Sequence, residues 1–540
     1  MNFWRRWGTL WAQGEQVMAW MGLMVLAVAV GWYFARSLAP WGPWAFSDSA
    51  VYVTEGWNWA HGAGAIVWDR SLSSRWVTMF APGYPWLLAI GFRWTSNWIA
   101  VARGWDVLLV ALWVFLVGAP ALQWVRPPWA VWSVASLFLL VPVVRAFSGI
   151  MSEPPFLVLN ALFVWALWYV LRAKEEGEAG RRFWGSVFLS AMMTLTRWAG
   201  AWSVLPLVWV GWSAPADTRK VQLRRVLGGA MASPLVFVLW LFVGHQHGAR
   251  RGRVLVTSPR ALWEGTRSYV VMVGRLGSQC LQGGSSGLQV GVWVGIVAVV
   301  VVLLMGWKRA RMSAAGQWVW LWGATGMAWV PFLWVSHAAA YPSPSIDARM
   351  FTPALVALGL AVLGLVWMGL RSIREARMRA VVTVVGLLGL VHLWRGGASA
   401  DFLAVLRAQG LGYTHRVWHE MMEQGVLEAA ETLPSSAVLV SNDPEGVMLW
   451  LHRPVLLLTR AINETCGGKN LSAVAPSDGE RQSVICQNGA VVLIAFSAHR
   501  VSEPFHETLR HWAAKWYPCY EGGDGGVFLA PLHPEWCSFR

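Results

Sequence analysis

Across 540 residues the chain is 56% hydrophobic and only 13% charged, where a soluble protein carries about a quarter charged residues. Apolar runs recur from Gln16 to Trp394, which excludes a soluble globular protein and describes a polytopic one that has the lipid bilayer as a partner. The formal charge of +15 belongs to loops at the membrane, because the arginines are scattered between apolar segments; no soluble basic face exists for nucleic acid.

Arg5 and Arg6 precede the first span, Gln16 to Leu38, and hold the N-terminus inside. No convincing cleavage site follows, so this span reads as a retained membrane helix. Ala39 to about Thr95 reads as a long first external loop. It opens on Phe46-Ser-Asp-Ser-Ala-Val-Tyr52, where Asp48 is the first acidic side chain on that side of the membrane. A helix-like stretch runs from Ser49 to Ala60, with Asp48 placed as its N-cap. Pro82 to Phe92 is apolar but shorter than the roughly 20 residues that span a bilayer. Both stretches are expected to lie in the interface.

Ten more spans follow, at 98–121, 128–147, 152–172, 183–197, 199–213, 227–244, 288–306, 316–335, 350–370 and 380–396, making eleven in all. The loops on one side hold Arg126; Arg172, Lys174, Arg181 and Arg182; Arg219, Lys220, Arg224 and Arg225; Lys308, Arg309 and Arg311; and Arg371, Arg374, Arg377 and Arg379. This alternation places those loops in the cytoplasm and the C-terminal portion outside. The loop from His245 to about Leu288 breaks the bias, with Arg250, Arg251, Arg253, Arg260, Arg267 and Arg275 on the outer side. It is either a long loop that escapes the charge rule or a basic rim that attracts phosphate groups. His245 and His247 have no acidic neighbour in sequence and read as polar loop residues rather than metal ligands.

From Gly397 the composition becomes that of soluble protein. His415 to Thr432 reads as one helix. Ala437 to Ser441, Pro454 to Thr459, Ala490 to Phe496 and Gly526 to Ala530 read as strands, with helices at Pro444 to Leu451 and Glu503 to Trp516. The fold class expected is thus an α-helical polytopic membrane protein with interfacial helices in the first external loop and a small C-terminal α/β domain outside the cytoplasm. The boundary falls between 1–396 and 397–540. Cys466, Cys486, Cys519 and Cys537 all lie in that last portion, as an oxidising compartment allows. Three pairings are open; Cys466 with Cys486 and Cys519 with Cys537 is the most local. Asn463 and Asn470 match the glycosylation acceptor pattern.

Charged residues recur at the outer edges of the spans: Asp48, Glu55, Asp69, Arg70, Arg75, Arg93, Arg145, Glu153, Arg197, Asp347 and Arg349. Ionisable groups beside apolar segments are costly unless paired or wet, so such a set on one side points to a cavity.

In order and spacing, Asp48-Ser-Ala-Val-Tyr, Pro82-Gly-Tyr-Pro-Trp-Leu-Leu-Ala, Met151-Ser-Glu-Pro-Pro-Phe, Leu195-Thr-Arg-Trp-Ala-Gly and Asp347-Ala-Arg-Met-Phe-Thr-Pro353 resemble the GT-C superfamily of integral-membrane glycosyltransferases. The branch most similar is that of protein O-mannosyltransferases and lipid A aminoarabinose transferases. The resemblance covers the chain to about residue 396. It implies a sugar donor carried on polyprenyl phosphate and an acceptor (protein, lipid or glycan) met on the periplasmic or lumenal face. It also implies transfer with inversion at the anomeric carbon. Asp48 resembles the family's loop aspartate, the general base. Arg349 resembles the Arg of Arg-x-Phe/Leu-x-Pro, a donor phosphate ligand, with Arg197 the next candidate. The family's common Asp-Glu pair reads Asp48-Ser49 here. Glu55, Asp69 or Glu153 is then the candidate second acid, or a ligand if a divalent metal takes part. The expectation is a bacterial inner-membrane glycosyltransferase moving a mannose-like hexose or related sugar. The alternatives are a lipid-linked-sugar flippase or other transporter, and an O-antigen polymerase or ligase.

Overall fold

The computed structural model describes residues 2–68, 74–76, 80–124, 134, 137–138, 140–214, 216–247, 254–255, 258–260, 262–269, 271, 313–341, 350–371, 398–433, 437–441, 443–457, 491–496, 517–522 and 525–529. The expected spans at 288–306 and 380–396, the helix at Glu503 to Trp516, Asn463, Asn470, and the side chains of all five cysteines lie outside the described residues.

The chain begins with one long helix, α1 (Asn2–Leu38). Helix α2 (Ser47–Ala60) follows. Its start is set by Ser49, whose Oγ accepts the backbone N–H of Phe46 at 3.1 Å. Asp48 is therefore not the N-cap expected from the sequence. It lies inside the first turn, where the helix dipole favours a negative charge. Strands β1 (Ile66–Trp68) and β2 (Ser74–Trp76) pair antiparallel. Next come α3 (Gly83–Phe92), α4 (Trp98–Trp124), α5 (Val141–Phe147), α6 (Glu153–Leu171) and α7 (Glu176–Thr196). The stretch read as a single span at 199–213 is divided into a 3-10 turn, Trp198–Ser203, and a ten-residue helix, α8 (Val204–Ser213). Then follow α9 (Arg219–Gln246), β3 (Val254–Leu255), α10 (Ala314–Ala339), β4 (Ala340–Tyr341), α11 (Thr352–Arg371) and α12 (Ala398–Gln409). The helix read from His415 to Thr432 is broken at Gly425, whose extended backbone separates α13 (Arg416–Gln424) from α14 (Val426–Glu431). The remaining elements are β5 (Val438–Ser441), α15 (Pro444–Leu451), β6 (Val455–Leu457), β7 (Val491–Phe496), β8 (Tyr517–Gly522) and β9 (Gly525–Leu529).

Among the described residues, four helices are long and apolar enough to cross a bilayer, within α1, α4, α6 and α9. On α1 and α9 the apolar surface is left outward. Val25, Val28 and Trp32 on α1, and Leu223, Leu227, Met231, Leu235 and Phe242 on α9, are all more than half exposed. Side chains three and four residues apart share a helix face, so these are continuous apolar stripes. Water would not tolerate them; lipid does.

The chain forms two compact units. One comprises residues 1–39, 78–84 and 103–408. Its helices pair as α6 with α7, α8 with α9, and α10 with α11. An aromatic cluster of Phe156, Phe163, Trp202 and Trp329 fills the space between α6, the 3-10 turn and α10. Three buried serines bind across helices: Ser190 Oγ lies 2.5 Å from Ser203 Oγ and 3.0 Å from Ser233 Oγ. Small hydroxylated residues of this kind let membrane helices approach closely.

The other unit comprises residues 40–77, 85–102 and 409–540, so the first loop and the C-terminal portion fold together. Gly410 and Gly412 have φ of +69° and +64°, which glycine adopts without strain. That turn brings Tyr413 N–H to the carbonyl of Ala45 at 2.9 Å and Thr414 Oγ to the carbonyl of Pro43 at 2.9 Å. Trp57 stacks on His452 with ring centroids 4.8 Å apart, joining α2 to the end of α15. The strands form one sheet in the order β6-β5-β7-β9-β8, parallel from β6 to β7 and antiparallel through β9 and β8. Helix α15 makes the crossover that the parallel β5–β6 pair requires. Strand β8 was not legible in the sequence: it carries Pro518 and a register shift between Pro518 and Tyr520, features an edge strand tolerates.

Candidate active site

Two of the acids singled out from the sequence lie on α2. Asp48 and Glu55 are seven residues apart, so they share one helix face about 10 Å apart along the axis. Their surroundings differ sharply. Asp48 is half-buried at the start of the helix. Glu55 is fully buried. Close approach of α2 and α3 causes that burial, and Gly56 permits it. A Cβ on Gly56 would sit 2.9 Å from Leu88 Cβ and 3.0 Å from the Pro85 carbonyl oxygen. The indole of Trp59 donates to Glu55 Oε1 at 3.4 Å and meets Trp86 edge-on. Burial pushes the Glu55 carboxyl up to about 8, against a smaller lowering by the Trp59 hydrogen bond. At neutral pH it is therefore a protonated, hydrogen-bonded group.

Glu153 and Arg197 come together in the other unit. Arg197 binds Glu153 Oε1 at 2.5 Å, and both side chains are largely buried. The Leu195-Thr-Arg-Trp-Ala-Gly segment explains the placement. Helix α7 ends at Thr196, and Arg197 is extended, with φ of −156° and ψ of 128°. The chain then turns tightly, with Gly200 N–H donating to the Arg197 carbonyl at 2.7 Å. A Cβ on Gly200 would lie 2.5 Å from the Met193 carbonyl carbon. Glu153 opens α6, with Pro154 behind it and the helix dipole favouring its charge. Gly83 of the Pro82-Gly-Tyr segment presses on the same place: a Cβ there would lie 2.8 Å from the Leu195 carbonyl oxygen. Three of the sequence segments thus converge on one ion pair.

Arg145 is exposed and stacks over Phe402 at 5.1 Å. Arg93 is exposed. Both His245 and His247 are exposed at the end of α9, and the His247 ring lies 2.8 Å from the Val243 carbonyl. Asp69, Arg70, Asp347 and Arg349 lie outside the described residues, as do Arg250, Arg251, Arg253 and Arg275. One acid was missed. Asp106 is fully buried within α4. The signal was present, since an acid inside an otherwise apolar span is a functional pointer by itself.

No three His, Cys, Asp or Glu side chains gather among the described residues. Glu153 is engaged by Arg197, and Asp69, another candidate ligand, lies outside the described residues. The described residues gather no ligand set for a divalent metal, and no step below runs through one.

No family model matches the sequence, and no curated protein does. Solved structures match in fold. ArnT from Cupriavidus metallidurans, bound to undecaprenyl phosphate, is 15% identical over 94% of this chain and 98% of that one, with a TM-score of 0.53. The archaeal oligosaccharyltransferase AglB from Archaeoglobus fulgidus, in complex with an inhibitory peptide and a dolichol-phosphate, is 12% identical over 94% and 74%, with a TM-score of 0.51. The Archaeoglobus fulgidus oligosaccharyltransferase in complex with Zn and sulfate is 14% identical over 88% and 68%, with a TM-score of 0.50.

Proposed function

We propose that this chain, which has the fold of the GT-C superfamily of membrane glycosyltransferases, transfers a sugar from a polyprenyl-phosphate donor to an acceptor outside the cytoplasm. The observation that carries the reading is the fold shared over nearly the whole of both chains with an ArnT bound to undecaprenyl phosphate. The bacterial inner membrane, an extracytoplasmic C-terminal α/β domain beginning near residue 397, and a mannose-like or related sugar belong to the same proposal.

Asp48 is the general base. It stands in the first turn of α2, half-buried, while the neighbouring acid on its face is protonated. An acceptor hydroxyl gives its proton to the Asp48 carboxylate as its oxygen attacks the anomeric carbon. The bond from that carbon to the phosphate oxygen breaks on the opposite face, so the product is inverted. Polyprenyl phosphate leaves with the bonding electron pair, and Asp48 then releases its proton to water. The growing negative charge on the phosphate requires fixed cations. Arg349 and Arg197 are assigned that role, because guanidinium groups suit phosphate oxygens. Glu153 holds Arg197 in position and, in this reading, acts through it rather than as a second acid.

The test is a transfer assay with purified protein and a polyprenyl-phosphate sugar. Asp48→Asn should lower the rate about 100-fold or more while donor binding persists. Full transfer by that variant overturns the base assignment. If the wild-type protein moves lipid-linked sugar across vesicles without transferring it, the enzyme reading fails.

A further inference from the structure

A second basic feature lies in the unit that contains the spans, apart from the Glu153–Arg197 pair. The C-terminal turns of α1 and one side of α12 line a half-open cavity of about 380 Å³. Arg36, Tyr33 and Ser37 line it from α1, and Arg407, Leu403 and alanines line it from α12. The lining holds two guanidinium groups, a phenol and a hydroxyl, and no acid. Both arginines are exposed, Ser37 is buried, and the floor at Leu403 is apolar. The Arg36 guanidinium lies over the Trp32 ring at 5.5 Å, at the edge of the apolar surface. Helix α12 is docked by the stacking of Arg145 on Phe402.

The lipid-facing stripe of α1 leads to this cavity. Val25, Val28, Trp32 and Arg36 follow one another at helical spacing, and the first three are 67%, 67% and 60% exposed. A ligand whose hydrocarbon lies along Val25 and Val28, and whose head carries negative charge, meets every part of the surface in order. Trp32 sits where aromatic side chains mark the headgroup level, and the two arginines meet the head.

We propose that this cavity binds the phosphate headgroup of an anionic membrane phospholipid, through residues other than the donor ligands assigned above. Arg36 and Arg407 share the phosphate oxygens by charge-assisted hydrogen bonds. Tyr33 and Ser37 supply hydroxyl contacts, and the small residues of α12 leave room for the glycerol. The proposal stands independently of sugar transfer, since none of these residues has a part in that chemistry.

The experiment is native mass spectrometry of the full-length protein, titrated with phosphatidylglycerol, phosphatidylcholine or inorganic phosphate. Wild-type protein should retain phosphatidylglycerol in preference to phosphatidylcholine. Arg36→Gln and Arg407→Gln should each weaken it about fivefold, and the pair together more than tenfold. Arg36→Lys with Arg407→Lys, which keeps the charge, should retain most of the binding. Ala404→Trp fills the cavity without replacing either arginine and should also weaken binding, which covers a glutamine pair that fails to fold. Wild-type affinity in the folded glutamine pair or in Ala404→Trp overturns the site. Equal binding of phosphatidylcholine overturns the selection for an anion. Inorganic phosphate that displaces phosphatidylglycerol at comparable concentration overturns the lipid as ligand and leaves a free-anion site.

Discussion

Replacing Glu55 by Gln should change how stability depends on pH more than it changes stability in acid. The buried carboxyl has its midpoint near 8 in the folded protein, against 4.5 when exposed. Its folded value is raised, so its contribution is fully present below pH 4.5 and is lost as pH rises toward 8 and beyond. Between those limits the unfolded chain releases a proton that the folded chain keeps. At about 1.4 kcal/mol per unit, folding loses about 3 kcal/mol by pH 7 and about 5 kcal/mol above pH 8 from this one group. Glutamine has the same shape, keeps an oxygen for the Trp59 indole, and does not ionise. The two proteins should match at pH 4.5 and diverge steadily upward, with Glu55→Gln the more stable by several kcal/mol at pH 8.5. Guanidinium titrations of detergent-solubilised protein, followed by tryptophan fluorescence, measure the difference at each pH. A difference that stays constant from pH 5 to 8.5 refutes the burial argument, and with it the reason for setting Glu55 aside as a second base.

Arg197→Ala leaves the Glu153 carboxylate buried without its ion partner and should cost about 3–5 kcal/mol. Adding Glu153→Gln should restore part of that loss in thermal melts, whereas additive losses would separate the two residues. Gly200→Val forces a Cβ into the Met193 backbone and should abolish folded protein, judged by monodisperse elution in detergent. His452 is shifted the opposite way to Glu55: burial, with His61 adding to it, lowers its pKa to about 4 from 6.5. Its contribution is present above pH 6.5 and is lost as pH falls through 4, so His452→Asn should flatten the acid side of the unfolding curve. Asparagine also accepts the left-handed backbone found there, at φ of 50°.

Local pattern explains what could be read from the chain. Apolar runs of bilayer length announced α1, α4, α6 and α9, because a spanning helix must satisfy its own backbone and offer lipid an apolar surface. The short apolar stretch after Pro82 gave α3, and short continuous apolar runs bounded by polar residues gave β5 and β7. Breaks were harder. Gly425 and the passage from the 3-10 turn into α8 at Ser203 interrupt segments whose composition stays uniform, so no periodicity changes there.

The sequence by itself determined that the chain lives in a membrane, where several of its helices lie, and which acids and arginines are candidates for chemistry. Only the tertiary structure decided which of those charges meet. Glu153 and Arg197 are 44 positions apart and become one buried pair. Glu55 and Asp48 share a helix face, yet one is sealed under α3 and protonated while the other stays half open. Arg36 and Arg407 are 371 positions apart and line a common cavity. Even Asp48, first read as a cap, stands inside the helix because Ser49 takes the Phe46 N–H instead. A residue's type fixes what it can donate, accept or carry; its burial and partners come from contacts between distant segments, which no local period encodes.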